Sequence, residues 1–306
     1  MNTLALAIRL GPNSRQSNVM KKQLLSFVLE SKSSHLERSF IEGCSGVGLK
    51  EAKAAWKNFR IANGFGSYAD VLTYPESQHK LKKSLIYTAG LTLQHADVSG
   101  IETCAWRGHC TSVCVLDNGN GRYHTVQKAR NIKTQFLNQN PQAFMTILGS
   151  EIEKLSYIHE KVLIRLNTNS DLRWHKILPS ISNGITKLSN VYFYDYTKNP
   201  AVLSTDGMVG QRYRMVYSVN ENSDLEKVAE FVGRGGTAAI VTNRKKNEAV
   251  MRSFYDLPVI DGDKHDDRYH EKGAWIDLAA KGKARKMDDV GFVQKVYVAF
   301  NSGTNE

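Results

Sequence analysis

The chain has 306 residues, 41% of them hydrophobic and 23% charged, the composition of a globular protein with one large domain or two smaller ones. No apolar run is long enough for a membrane helix, and four cysteines are too few for a disulfide scaffold at this length, which points to a reducing cytoplasm. The formal charge of +11 favours phosphate-rich partners, nucleic acid first among them.

The opening stretch, MNTLALAIRLGPNSRQ, is apolar in part but lacks a basic start and a small-residue cleavage site, so no signal peptide is expected. Helical spacing follows. Leu24, Leu25, Val28 and Leu29 share one face of a first helix, and GLKEAKAAWKNFRIANG forms a second, stopped at Asn63-Gly64. Such a pair serves as a packing module or as a helix-turn-helix. TYPESQHK reads as a linker. It sets the expected division into a helical N-terminal segment, 1–78, and an α/β barrel-like domain, 79–306, that carries most of the cysteines.

From Lys82 onward strands and helices alternate. SLIYTAGLTL is a strand that runs into a cysteine-rich loop. YHTVQKARNIKTQFLNQ and PQAFMTILGSEIEKLSYIHE are amphipathic helices, the second with Pro141 in its first turn. KVLIRLNT is a strand, DLRWHKILPSISNGITKL starts as a helix, and NVYFYDYT and RYRMVYSVN are strands. SDLEKVAEFVGRGG is a helix with Ser223 as its expected N-cap. TAAIVTN and LPVIDGD are the last two strands. This alternation calls for a parallel sheet covered by helices, either open or curled into a partial or full barrel.

In such folds chemistry gathers at the carboxyl ends of the strands. There the chain places Arg165, Asn167, Asn169 and Asp171, then Asp195, Tyr196 and Lys198, then Ser218, Asn220 and Glu221, then Thr242, Asn243 and Arg244. Polar groups above apolar strand bodies suggest one shared polar pocket. The DGDKHDDRYH segment combines a turn with side chains suited to acid–base work or a divalent metal, and Asp263, His265 and Arg268 are its best candidates. AKGKARK is a solvated basic loop or a hold for a phosphate backbone. Neither a nucleophile elbow nor a Walker motif is present.

Cys104, Cys110 and Cys114 stand at C-x5-C-x3-C spacing. Thiolates are soft ligands for zinc or iron–sulfur centres. His109 or His124 would complete a Cys3His zinc site. Three cysteines alone suit a four-iron cluster with one open iron, the arrangement of radical S-adenosylmethionine enzymes. Cys44 stands apart as a small core residue. Gly119 and Gly121, just before a helix, form a tight turn or bring backbone amides toward an anion.

AGLTLQHADVSGIETCAWRGHCTSVCV, NGRYHTVQKAR, IRLNTNSDLRW, FYDYTK, LPVIDGDKHDDR and AKGKARK...GFV together resemble phage and plasmid proteins related to the mycobacteriophage gene-product-88 family, across Tyr87 to Val293. The resemblance implies a phage or mobile-element setting and makes Cys104, Cys110 and Cys114 the family's cysteine trio. Their placement makes the family similar to radical S-adenosylmethionine proteins, though with different cysteine spacing. A G-G-E segment is missing after the second strand, and LNTNSD would take its place.

The expectation is an α/β protein, a partial (β/α) barrel resembling radical S-adenosylmethionine proteins behind an N-terminal helical segment. Cys104, Cys110 and Cys114 hold a [4Fe-4S] cluster. Arg165, Asn167, Asp171, Gly119 and Gly121 bind cofactor, S-adenosylmethionine in this reading. Asp195, Lys198, Asp263 and His265 carry catalysis on a nucleic acid or nucleotide. The competing expectation is a zinc-stabilised nucleic-acid-binding protein without catalysis. A third is a metal-free hydrolase or transferase built on the DGDKHDD loop.

Overall fold

The structure, a computed structural model, describes residues 47–66, 70–114, 116, 119–177, 188–245, 248–287 and 291–296. The first expected helix, with Leu24, Leu25, Val28 and Leu29, lies outside the described residues, as does Cys44.

Helix α1 (Leu49–Ala62) is the expected GLKEAKAAWKNFRIA helix. It ends at Asn63, and Gly64 takes the left-handed turn (φ 63°) that a residue with a Cβ adopts only under strain. Its buried side includes Ala52 and Trp56, and the Trp56 ring lies 4.8 Å from Phe136. The TYPE stretch does not hang free. Thr73 pairs antiparallel with Gly90, and the Glu151 carboxylate accepts hydrogen bonds from the amides of Val71 and Leu72 at 2.9 and 2.8 Å. A single turn, α2 (His79–Lys82), leads to β1 (Tyr87–Gly90).

After β1 come one helical turn, α3 (Ala96–Ser99), and the cysteine loop with its 3-10 turns. Then α4 (His124–Gln139) and α5 (Pro141–Ile158) return the chain to β2 (Val162–Arg165). α5 buries Phe144, Ile147, Leu148, Ile152 and Leu155 at helical spacing, each worth roughly 1.5–3 kcal/mol when fully buried. The short α6 (Trp174–Ile177) precedes β3 (Val191–Thr197). Next come β4 (Met208–Val209), β5 (Tyr213–Ser218), α7 (Leu225–Gly233) and β6 (Thr237–Thr242). A hairpin of β7 (Ser253–Phe254) and β8 (Leu257–Asp261) precedes β9 (Ala274–Ala279).

The nine strands form one sheet in the order β1-β2-β3-β5-β6-β9-β8-β7, with β4 alongside β5. From β1 to β8 every neighbouring pair on this path is parallel. The path β1, β2, β3, β5, β6, β9 never reverses direction. Among the described residues no pairing joins β1 to β7 or β8, so the sheet is open. Its edges nevertheless approach each other, because Lys83, just before β1, donates from Nζ to the Asp263 carbonyl, just past β8, at 3.0 Å.

Two expectations change. α7 is capped by Asp224, whose carboxylate accepts from the Lys227 amide, and not by Ser223. The Ser223 hydroxyl is already engaged by Tyr217 and Asn220. LPVIDGD is not the last strand. AWIDLA follows it and inserts between β6 and β8 as β9.

The pleat sorts side chains onto two faces. Ile164, Phe193, Tyr213, Met215, Ile240 and Trp275 share one large apolar cluster with residues of α1, α4, α5 and α7. The opposite face carries Arg165, Tyr194, Tyr196 and Arg214. It is covered by the β8–β9 connection: Asp266 reaches Arg165 and Tyr194, Arg268 reaches Tyr196, and the Tyr269 carbonyl accepts from Arg214. A parallel pair needs a long crossover, usually a helix. Here a helix-free connection makes it, and its polar side chains take the place of a helix's apolar stripe.

Candidate metal centre on the cysteine loop

The loop after β1 is held to the sheet by segment 166–171. The Asp171 amide donates to the Thr103 carbonyl at 2.7 Å, and the Cys104 thiol lies 3.7 Å from the Asn169 carbonyl. The Asn169 side chain also holds Leu93, accepting from its amide and donating to its carbonyl. LNTNSD, expected to stand near the cofactor, therefore lies directly against the first cysteine. On the far side, His109 donates its amide to Glu221 Oε1 at 2.8 Å. A Cβ at Gly108 would sit 1.8 Å from that same oxygen and would push the Glu221 carboxylate off this contact.

Cys104, Cys110 and Cys114 form no disulfide, and each is half-buried. They share an electrostatic neighbourhood with Lys198 and Asp171. Burial, and then the Asp171 charge, push the Cys104 thiol well above the ordinary cysteine value. Burial works to discharge the Lys198 ammonium, but Cys110, Asp171, Cys104 and Cys114 outweigh it and hold its pKa above the usual lysine range. Asp171 also fixes the lysine's backbone, accepting from the Lys198 amide at 2.8 Å. Among the described residues no three His, Cys, Asp or Glu side chains already converge as a metal-ligand group. The donor chemistry still fits a soft metal: three thiols on one loop, with a cation beside them to favour thiolates. The fully buried Gln94 takes a hydrogen bond from Thr103 on its backbone carbonyl, while its side-chain amide has no protein partner.

The other expected residues divide into separate groups. Asn167 organises its own loop, accepting from Ser170, the Leu172 amide and the Trp174 indole. Asp195 lies beneath it on the helix-covered face and is completely buried. It accepts from the Asn167 amide at 2.5 Å and the Tyr213 hydroxyl at 2.6 Å. Arg165 points to the opposite face, into the Asp266 network. Strand alternation thus splits the expected common pocket in two. Asp263 is held by Lys281, Arg244 and the Ala279 amide, and those contacts keep its carboxyl below its ordinary value against the effect of burial. His265 stands 3.8 Å from Glu271 and gives its carbonyl to Arg268. Gly121 permits a close approach, because a Cβ would lie 2.4 Å from the Leu116 carbonyl oxygen. The turn around Gly119 and Gly121 is pinned by the buried Arg130 guanidinium, which donates to the carbonyls of Leu116 and Gly121. His124 begins α4.

Burial pushes the Asp195 carboxyl up to about 7 from its ordinary 3.8, against the two hydrogen bonds it accepts. Between those values the folded chain keeps a proton that the unfolded chain has released. Asp195 therefore contributes stability that is complete below the unfolded value and is lost as pH rises through the folded one. Asp195→Asn is expected to flatten the fall of the melting temperature between acid and mildly alkaline pH. Equal slopes in the two proteins would show that Asp195 ionises freely in the fold.

Sequence reasoning singled out Lys198 but did not select Glu221, which anchors the cysteine loop from 112 positions away. Nor did it find Arg173, whose guanidinium lies 5.7 Å from the centre of the Trp106 ring in that loop. Neither position carries a local motif.

No helix among the described residues is long and apolar enough to cross a membrane. No curated protein and no solved structure matches the chain. The model of the Gene product 88 family matches residues 67–296, reaching further toward the N-terminus than the blocks that first suggested it and taking in the Val71–Tyr74 segment. With most of its length matched, the chain belongs to the phage-associated gene product 88 family.

Proposed function

We propose that this chain is an iron–sulfur enzyme of radical S-adenosylmethionine type, built on a partial β/α barrel and acting on a nucleic acid or nucleotide. The observation that carries this reading is the cysteine loop after β1, with Cys104 against Asn169, Thr103 against the Asp171 amide, and Asp171 holding the Lys198 backbone. Three further features support it. The strand path from β1 to β9 runs in one direction, the sheet's edges approach through Lys83 and Asp263, and the cysteine loop follows the first strand. Cys104, Cys110 and Cys114 would hold the cluster, which would supply one electron to a bound sulfonium cofactor. The protein's own part is to hold three sulfurs in one loop, set the Lys198 charge beside them and fix that lysine through Asp171. LNTNSD, which contacts Thr103 and Cys104, would hold the cofactor's polar end.

The test is the metal and sulfide content and the visible spectrum of protein purified without oxygen. Iron with matching sulfide and a broad brown absorbance is expected, followed by measurable S-adenosylmethionine binding. One zinc per chain and no colour would overturn the radical reading. It would favour the zinc-stabilised nucleic-acid binder, which the formal charge of +11 suits.

A further inference from the structure

The β6, β8 and β9 ends form a second feature, separate from the thiols but joined to their loop. Arg244 is buried there and its charge is spent. It pairs with Asp277 at 3.0 Å, Asp261 at 3.1 Å and Asp263 at 3.2 Å. Lys281 also holds Asp263, at 2.5 Å. Against Arg244 and Lys281 stand three carboxylates, so this base keeps one negative charge, and two adjoining clefts sit on it, walled by further cations. One, of about 360 Å³, is lined by Lys245 and Arg285 with Asn243, Ala280 and Val293. The other, of about 410 Å³, is lined by Lys83, Lys264, Lys281 and Arg285 around Asp261 and Asp263. Arg285 walls both clefts. Beyond it the exposed Lys283 and Lys286 continue the same basic turn.

This turn packs against the cysteine loop. Ala280, Ala284, Phe292 and Val293 form one buried cluster with Val113, and Cys110 lies against it. The Ser112 hydroxyl also meets the Met287 sulfur at 3.6 Å. Two of the cleft-lining residues, Ala280 and Val293, thus belong to the packing that holds the metal loop.

We infer that the paired clefts on either side of Arg285 are a track for the phosphodiester backbone of a single nucleic-acid strand, leading to the cysteine loop. A lone phosphate needs one cleft. Two adjoining clefts that share one exposed arginine, with Lys283 and Lys286 in the same turn, suit successive phosphates of a strand. Among the described residues the clefts are lined by cations, carboxylates and small side chains and by no aromatic ring, a lining suited to holding backbone more than to reading sequence. That the track delivers substrate to a reacting centre rests on the function proposed above; strand binding itself does not.

The test is fluorescence anisotropy of the full-length protein with a labelled single-stranded oligonucleotide over a salt series. Lys264→Glu/Arg285→Glu is compared with Lys50→Glu/Lys53→Glu on the exposed side of α1, which changes the charge equally. The track variant is expected to bind roughly tenfold more weakly, with a shallower salt dependence by about one unit per lost phosphate contact, and the α1 variant to bind as the parent does. Lys264→Gln/Arg285→Gln, with intact folding checked by melting, is expected to show the same loss in smaller degree. Equal losses in the track and α1 variants, no loss in either, no binding by the parent, or full competition by a mononucleotide at the same concentration of phosphate would overturn the track. Repeating the titration with the cysteine-to-alanine protein separates the two proposals. Strand binding that persists without metal keeps the track even if the iron–sulfur reading fails.

Discussion

Replacing Cys104, Cys110 or Cys114 by alanine, one at a time, is expected to abolish iron loading in protein purified without oxygen, and with it the brown absorbance. The three sulfurs lie on one loop within eleven residues, C-x5-C-x3-C. A cluster with three protein ligands has no spare to recruit: Cys44 is the chain's only other cysteine. Loss should therefore be near complete for each variant, and not graded by position. Lys198→Met is expected to act differently. It removes a cation whose charge Cys110, Asp171, Cys104 and Cys114 favour and leaves every thiol in place. Iron should load in part and be lost faster to a chelator, because uncompensated thiolates are harder to gather. Three alanine variants that each keep full iron content would sink the cluster assignment. A Lys198→Met protein identical to the parent in loading and chelation would remove the lysine from it.

The cysteine loop was legible because its signal is local: three thiols in one short stretch after a strand. Lys198 was legible as a strand-end residue, and the sheet brought it to the loop that the first strand also feeds. The error over the pocket came from the pleat. Arg165 and Asn167 lie only two residues apart, yet the strand stops at Arg165, so the pleat does not carry over to Asn167, which turns back into its own loop. Asp195 sits between Tyr194 and Tyr196 and so faces away from both. β9 was hidden by its polar residue. Asp277 stands mid-strand, completely buried, and is tolerated because Arg244 and Thr242 satisfy it across 33 and 35 positions of sequence. The role of the β8–β9 connection was hidden for the same reason. DGDKHDDRYH has the composition of a solvated turn, and only its distant partners show that Asp266 and Arg268 are buried.

That connection carries the largest expected effect on stability. Asp266→Ala should cost about 3–5 kcal/mol in urea unfolding, the range for removing one partner of a buried ion pair. The pair is short and enclosed: Arg165 Nη1 to Asp266 Oδ2 is 2.6 Å, with both side chains 5% exposed. The Tyr194 hydroxyl donates to the same carboxylate oxygen at 3.2 Å, and the Arg165 guanidinium lies 4.6 Å from the centre of the Tyr196 ring. Burial acts to discharge Arg165, but the adjacent Asp266 carboxylate holds its pKa above the ordinary arginine value. Without Asp266 that charge stays in the sheet without its paired carboxylate, since Glu271, an acid of the same network, is already committed to Arg268. The arginine cannot release its proton, so the penalty falls on the fold. Asp266→Leu combined with Arg165→Met should cost much less than the sum of the single changes, because an apolar pair fills the site with no charge left to desolvate. Additive losses, or an Asp266→Ala protein that unfolds at the parent's urea midpoint, would mean that the loop's hold on this face lies elsewhere. The thiol loop is outside this network, so iron loading of folded Asp266→Ala protein is expected to match the parent's, separating a weakened fold from a damaged centre.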